Sequence, residues 1–162
     1  MNEQRRQDHR GIGSFVFGVG FGAFVDGILL HQILQWHHML SSRPSSGTDT
    51  IDGLELNVLA DGLFHVAALI ALVAGTVILR VEWRHGRLAS PWGAHIGLAL
   101  AGWATFNLVE GLVNHHLLGI HHVRDDVSNA GPWDLGFLGL SALLLAVGLA
   151  LWSMTRTRHQ PG

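Results

Sequence analysis

The sequence predicts an all-α integral membrane protein, a bundle of four transmembrane helices with both termini in the cytoplasm. Of its 162 residues, 48% are hydrophobic and 14% are charged, and the mean hydropathy is +0.31. Soluble domains carry about 25% charged residues, so this chain is too apolar to be one. The second observation is a set of four long apolar stretches, and the third is an uneven distribution of arginine around them.

The apolar stretches predict helices over about residues 12–36, 58–79, 92–118 and 133–153. A helix needs about 20 residues to cross a hydrocarbon layer about 30 Å thick. Because lipid offers the backbone no hydrogen-bond partners, single spans of this length must be helical. The connecting loops are short and polar, which predicts a single membrane domain over residues 1–162.

The arginines predict the orientation, because cytoplasmic loops carry the positive excess. Eight of the ten cations flank the termini and the second loop: Arg5, Arg6, Arg10, Arg80, Arg84, Arg87, Arg156 and Arg158. Only Arg43 and Arg124 lie in the first and third loops. We therefore expect a multi-pass protein of the cytoplasmic membrane whose first and third loops face the periplasm or the exterior.

Composition also excludes several classes of function. The chain has no Cys, which rules out disulfides, thiolate metal sites and cysteine nucleophiles. It has no basic tract interleaved with aromatic residues, so we expect membrane lipids and no nucleic acid as partners. The fourth helix offers few polar side chains beyond Ser141 and Ser153, and we expect it to form a packing wall or an oligomer face.

Twelve histidines and three intramembrane carboxylates are the unusual feature of this chain. An ionisable group inside a bilayer costs at least about 2.5 kcal/mol, so it indicates a function by default. From the rise of about 1.5 Å per residue, His31, His65 and Glu110 should share one layer about 8 to 12 Å below the outward surface. Asp61 lies four residues before His65, on the same helix face.

Two imidazoles and two carboxylates in a dry bundle predict a transition-metal site formed by His31, Asp61, His65 and Glu110. Four further polar residues are expected to orient these ligands: Asp26, Gln35, Asn107 and Asn114. Copper or zinc is favoured over iron. Two metal-free alternatives stay open, a structural network of hydrogen bonds between helices and a relay for protons or ions.

A second group of histidines is predicted at the outward helix ends, where a wet rim would exchange metal with the outside. Its members are His37, His38, His115, His116, His121 and His122. Two other functions stay open. One is a metal-dependent hydrolase or oxidoreductase acting on a lipid or quinone, and the other is a b-type haem protein with axial ligands among His31, His65 and His115.

Long motifs carry a family resemblance that covers nearly the whole chain. They lie at residues 22–38, 60–65, 106–124 and 132–135 and include the polar residues named above. Over these motifs the chain resembles a bacterial family of predicted membrane proteins, domain-of-unknown-function family 2243. Genes of this family often lie beside a copper-related oxidase assembly protein. The resemblance therefore implies copper handling and a respiratory or copper-handling membrane partner.

Overall fold

A computed structural model describes residues 11–87 and 91–157, and over these ranges the chain is helical with loops and no strand. Helix α1 spans Ile12–Asp26 and continues as a π-helical segment, π1, over Gly27–Ile33. Helix α2 spans Ile51–Arg84, α3 spans Trp92–Glu110, π2 continues α3 over Gly111–Leu117, and α4 spans Gly131–Thr157. The described residues thus form four helices long and apolar enough to cross a membrane, which confirms the predicted fold class.

Helix α2 begins seven residues earlier than the predicted residue 58, at Ile51, and it ends at Arg84 rather than near residue 79. Its amphipathic first turns are capped by the Thr50 side chain, which accepts a hydrogen bond from the Gly53 amide at 3.1 Å. At 34 residues the helix is about 51 Å long and exceeds the hydrocarbon thickness. The apolar residues of the sequence therefore indicate only the central part of helix α2.

The bundle has a central pair of helices and a flanking pair. Helices α1 and α3 pack closely at glycine: a Cβ added at Gly18 would collide with the Ala99 carbonyl, and one at Gly102 with the Phe15 carbonyl. Small residues allow this approach in lipid, where dispersion between closely packed backbones drives association. Helix α2 packs on α1 and α4 packs on α3, and most of their outer side chains are exposed, as lipid-facing surfaces should be.

Orientation in the membrane stays a prediction. Arg5, Arg6, Arg10 and Arg158 lie outside the described residues. The loops of residues 34–50 and 118–130 lie at one end of the bundle, which we call the histidine end because the clustered histidines lie there.

The first of these loops is held by Asn57, whose side chain is fully buried. Its Oδ1 accepts from the Leu40 amide at 2.8 Å, and its Nδ2 donates to the carbonyls of Ser46 at 2.6 Å and Gly53 at 3.0 Å. Replacing Asn57 with alanine should leave buried backbone groups unpaired and cost about 2 kcal/mol. Thermal unfolding in detergent measures this, with Thr76→Ala as the control. Equal melting temperatures for the two variants would contradict the assignment.

Candidate metal centre

Two clusters of metal-ligating side chains lie at the histidine end, each with one carboxylate and two imidazoles. The Asp26 cluster consists of Asp26, His31 and His37, and the Glu110 cluster of Glu110, His115 and His121. Within each cluster one ligand atom per residue lies within 4.8 Å of the others. All six side chains are buried. Two histidines and one carboxylate are a ligand set that leaves coordination positions open for water or substrate.

The two clusters touch and form one centre. The rings of His37 and His121 stack with centroids 4.6 Å apart and planes 3° from parallel. Within the clusters, the His31–His37 centroids are 4.4 Å apart and the His115–His121 centroids 5.0 Å apart. The two clusters therefore form one continuous group of buried imidazoles and carboxylates.

Each of these four rings has its Nδ1 nitrogen facing an oxygen atom. His31 Nδ1 lies 2.9 Å from Asp61 Oδ1, and His115 Nδ1 lies 3.4 Å from Asp134 Oδ1. The Nδ1 atoms of His37 and His121 bond the carbonyls of Val123 at 3.0 Å and Met39 at 3.1 Å. An oxygen at Nδ1 favours the tautomer that leaves the Nε2 lone pair free, which is how metal-ligating histidines are oriented.

The free nitrogens point to the carboxylates of their own cluster. His115 Nε2 and His121 Nε2 lie 2.9 and 2.7 Å from Glu110 Oε1, and His31 Nε2 lies 3.5 Å from Asp26 Oδ2. His37 Nε2, Glu110 Oε2 and both ring nitrogens of His115 are buried without a hydrogen-bond partner among the described residues. Buried polar atoms are almost always paired, so four unpaired atoms in one centre require an explanation.

Charge gives a second reason to expect a cation. Asp26, Asp61, Glu110 and Asp134 are all buried, and the ion pairs they form within the described residues are with histidines only. Burial lowers the pKa of His37 to about 2, so this ring is neutral and able to coordinate a metal. Two divalent ions would supply enough positive charge for all four carboxyl groups.

The π-helical segments explain how the helices present these ligands. In an α-helix, residues five apart are offset by about 140° around the axis. A π-helical turn closes after five residues, so it brings His31 onto the face of Asp26 and His115 onto the face of Glu110. Two residues after each segment comes a left-handed residue, Gln35 with φ 50° or Gly119 with φ 55°, where the chain turns back into the bundle.

The two clusters belong to an internal repeat, because residues 25–40 and 109–124 align without a gap. The pairs that carry chemistry are Asp26/Glu110, Gly27/Gly111, His31/His115, His37/His121 and His38/His122. The π-helical segments and the left-handed residues also coincide. The bonds of His37 to the Val123 carbonyl and of His121 to the Met39 carbonyl are reciprocal between the halves, as a two-fold relation requires.

Helices α2 and α4 are equivalent in the same way, through Asp61 and Asp134. Asp61 Oδ2 bonds His38 Nδ1 at 2.7 Å and its Oδ1 accepts from the Met39 amide at 2.9 Å. Asp134 Oδ2 bonds His122 Nδ1 at 2.7 Å and its Oδ1 accepts from the Val123 amide at 2.9 Å. The protein is therefore built from two similar helix pairs, like transporters with parallel repeats.

The structure does not group the four predicted ligands in the single site that the sequence predicts. His31 and Glu110 lie in separate clusters. Asp61 lies behind His31, at its Nδ1. His65 bonds the Asp61 carbonyl through Nδ1 at 2.6 Å, packs edge-on against Phe24, and belongs to neither cluster. The prediction groups these residues by depth along straight α-helices, and it does not include the return of the chain into the bundle after π1 and π2.

Three of the six predicted rim histidines are not at a wet surface. His37, His115 and His121 are buried in the clusters, whereas His116 is exposed. His38 and His122 are partly buried and bond the aspartates behind the clusters. The predicted rim therefore contains three of the four buried imidazoles that converge here.

The structure places the four residues predicted to orient the ligands in different surroundings. Asp26 is itself a cluster member, and Gln35 is the exposed left-handed residue that follows two residues after π1. Asn114 precedes His115 on π2. Asn107 has its Oδ1 buried without a hydrogen-bond partner in the described part of the chain.

Sequence reasoning assigned the fourth helix no part in the site, yet Asp134 supports the Glu110 cluster. Its side chain is buried, 3.4 Å from His115 and 2.7 Å from His122. The signal that could have found it is the repeat, since Asp134 and Phe137 in α4 match Asp61 and Phe64 in α2. Phe64 stacks on His31 and Phe137 packs on His115 at similar centroid distances, 5.5 and 5.6 Å.

The fold and the site define a multi-pass membrane protein with four membrane-spanning helices and buried groups of histidine and carboxylate that could hold metal. The chain belongs to the family described as predicted membrane protein, DUF2243, whose model matches residues 13–155. This confirms the family that the sequence motifs indicate. No curated protein and no solved structure matches the chain.

Proposed function

We propose that this protein binds two neighbouring transition-metal ions, one in the Asp26 cluster and one in the Glu110 cluster. The observation that carries the proposal is the gathering of four buried imidazoles and two buried carboxylates into two clusters of metal-ligating side chains, with an oxygen 2.9 to 3.4 Å from each imidazole Nδ1. The unpaired His37 Nε2 and Glu110 Oε2 atoms support it further. A merely structural network would pair these atoms instead of burying them unsatisfied.

Copper and zinc are the proposed ions, because imidazole nitrogen with a balancing carboxylate suits both metals. The centre would face the periplasm or exterior, as the arginine distribution predicts. Copper handling beside a respiratory oxidase is the use that the family resemblance implies, and it stays a prediction. An interaction through the exposed face of α4 also stays a prediction.

The close packing of the imidazoles favours bare ions over haem. His37 and His121 lie face to face with their centroids 4.6 Å apart, so they fill the space where a macrocycle would have to lie. The surroundings are rich in carboxylate, whereas a haem requires an apolar pocket.

Elemental analysis of detergent-purified protein tests the proposal. We expect about two equivalents of transition metal per chain. His31→Ala should lower this content, whereas His65→Ala should retain it, because His65 lies outside both clusters. Wild-type protein with no transition metal above background, before and after incubation with copper or zinc, would contradict the proposal. Loss of metal in His65→Ala alone would restore the ligand set predicted from the sequence.

A further inference from the structure

An open-sided pocket of about 450 Å³ reaches the metal centre from the side of the bundle. It lies between α1 and α4, which do not pack on each other, and α3 forms its floor. Leu29 and Leu140, at its edge, are 44% and 67% exposed. Since such leucines face lipid in a membrane protein, the pocket opens to the bilayer and not to water.

The walls of the pocket are mainly aromatic. Trp36, Trp103, Trp133 and Phe137 line it, and the apolar part of its surface is much larger than the polar part. Flat π-systems pack well against aromatic walls of this kind. Another, larger groove among the described residues, about 780 Å³, lies at the opposite end around Ser14 and His95 and is lined by no residue of either cluster.

Two hydrogen-bond acceptors interrupt the apolar lining. Asp26 is the one cluster residue that lines the pocket, and Asn107 lines it as well. Asn107 Oδ1 is buried and has no hydrogen-bond partner among the described residues. The amide oxygen of Asn107 therefore requires a donor from a ligand, and the carboxylate of Asp26, which lies 3.5 Å from His31 Nε2, can accept a further hydrogen bond. Because a cation would be costly to bring from lipid, neutral hydroxyl groups are the complementary donors.

The lining of this pocket differs from the residues at the equivalent positions in the other half of the internal repeat. At the equivalent positions around the Glu110 cluster, Leu63 replaces Gly136, Ala60 replaces Trp133, and Ala23 replaces Asn107. A Cβ added at Gly136 would meet nothing within 4 Å, so that glycine leaves the space open. The ligand clusters are duplicated, but the aromatic lining and the unpaired acceptor are not.

We propose that this pocket binds a membrane-dissolved aromatic ring with hydroxyl groups, of the hydroquinone class, beside Asp26. The ring would lie among Trp36, Trp103 and Trp133, with its hydroxyl groups donating to Asp26 and Asn107. This inference rests on the proposed function, since it names the class of small molecule that the metal centre would meet. A molecule dissolved in the membrane would then reach the Asp26 cluster through the lipid-facing opening of this pocket.

Tryptophan fluorescence tests the pocket directly, because three of the six tryptophans line it. Trimethylhydroquinone is titrated anaerobically into detergent-purified protein, and its dimethyl ether serves as a matched probe without donors. We expect saturable quenching by the hydroquinone and about tenfold weaker binding of the ether. Equal binding of the two probes would show an unspecific apolar site, such as one for acyl chains, and would overturn the proposal.

Two leucine variants locate the probe. Gly136→Leu places in α4 the residue that α2 carries at Leu63, and it should weaken hydroquinone binding about tenfold or more by filling the pocket. Gly139→Leu is the matched control, because its Cβ also meets nothing within 4 Å and Gly139 does not line the pocket. Unchanged binding in Gly136→Leu, or equal losses in both variants, would overturn the assignment.

Metal content measured on the same samples separates the two proposals. Gly136→Leu with full metal content and weakened probe binding supports both. Wild-type protein that takes up no metal and still binds the hydroquinone saturably, and more tightly than the ether, contradicts the metal centre and supports the pocket. Full metal content without binding of the hydroquinone contradicts the pocket proposal and supports the metal centre.

Discussion

Replacing His121 with alanine is expected to lower the bound metal from about two equivalents to one or less. His121 Nε2 lies 2.7 Å from Glu110 Oε1, and its ring stacks on His37 of the other cluster. Its loss removes a ligand from one cluster and the packing partner of a ligand in the other. Elemental analysis measures the change, and the equivalent variant His37→Ala should show an effect of similar size because the halves are related by the repeat.

His116→Ala is the control for both substitutions. His116 is exposed, and its Nδ1 bonds the Gly111 carbonyl of its own helix at 3.0 Å, so its loss should leave two equivalents bound. Thermal unfolding with and without added metal gives an independent measure, since a ligand that binds only the folded protein raises the melting temperature. If His121→Ala keeps full metal content and the same metal-dependent stabilisation, His121 is not a ligand.

The largest loss of stability is expected for Gly102→Leu. A side chain there would meet the backbone of α1, with the Phe15 carbonyl carbon and the Val19 nitrogen each 3.0 Å from the new Cβ and the Phe15 oxygen nearer still. Backbone atoms of a packed helix cannot move aside cheaply, so we expect a cost on the order of 3 kcal/mol. This corresponds to a melting temperature about 10 °C lower.

Thermal unfolding in detergent, followed by loss of helical circular dichroism, measures this effect. Gly139→Leu is the control, because a Cβ at Gly139 meets nothing within 4 Å. A melting temperature within about 2 °C of wild type for Gly102→Leu would show that the central helices are less tightly packed than described.

The fold class could be predicted because it depends on local properties of the chain. Residues 92–118 and 133–153 were predicted as spans, and the helices there run over 92–117 and 131–157. Helix α2 was predicted too short because its first turns, around Asp52 and Asn57, are polar and pack under a loop. Hydropathy marks the lipid-facing part of a helix and misses turns that are stabilised by tertiary contacts.

The candidate site could be predicted by residue type but not by grouping. His31 and Glu110 were placed correctly among buried ionisable residues, yet His37 and His121 were assigned to a wet rim. Residues three or four apart share a face in an α-helix, and this spacing rule does not extend to a π-helix. Asp26 and His31 are five residues apart, a spacing that shares a face only in a π-helical turn.

The amino-acid sequence by itself determined that this chain crosses a membrane four times and carries histidine and carboxylate within the membrane-spanning part. Both properties follow from composition and apolar length, which act locally. The tertiary structure alone decided which of these groups meet. Two π-helical segments and two left-handed residues return His37 and His121 into the bundle, and a two-fold arrangement of similar halves stacks those rings on each other. These contacts join residues distant in the chain, so no local spacing encodes them.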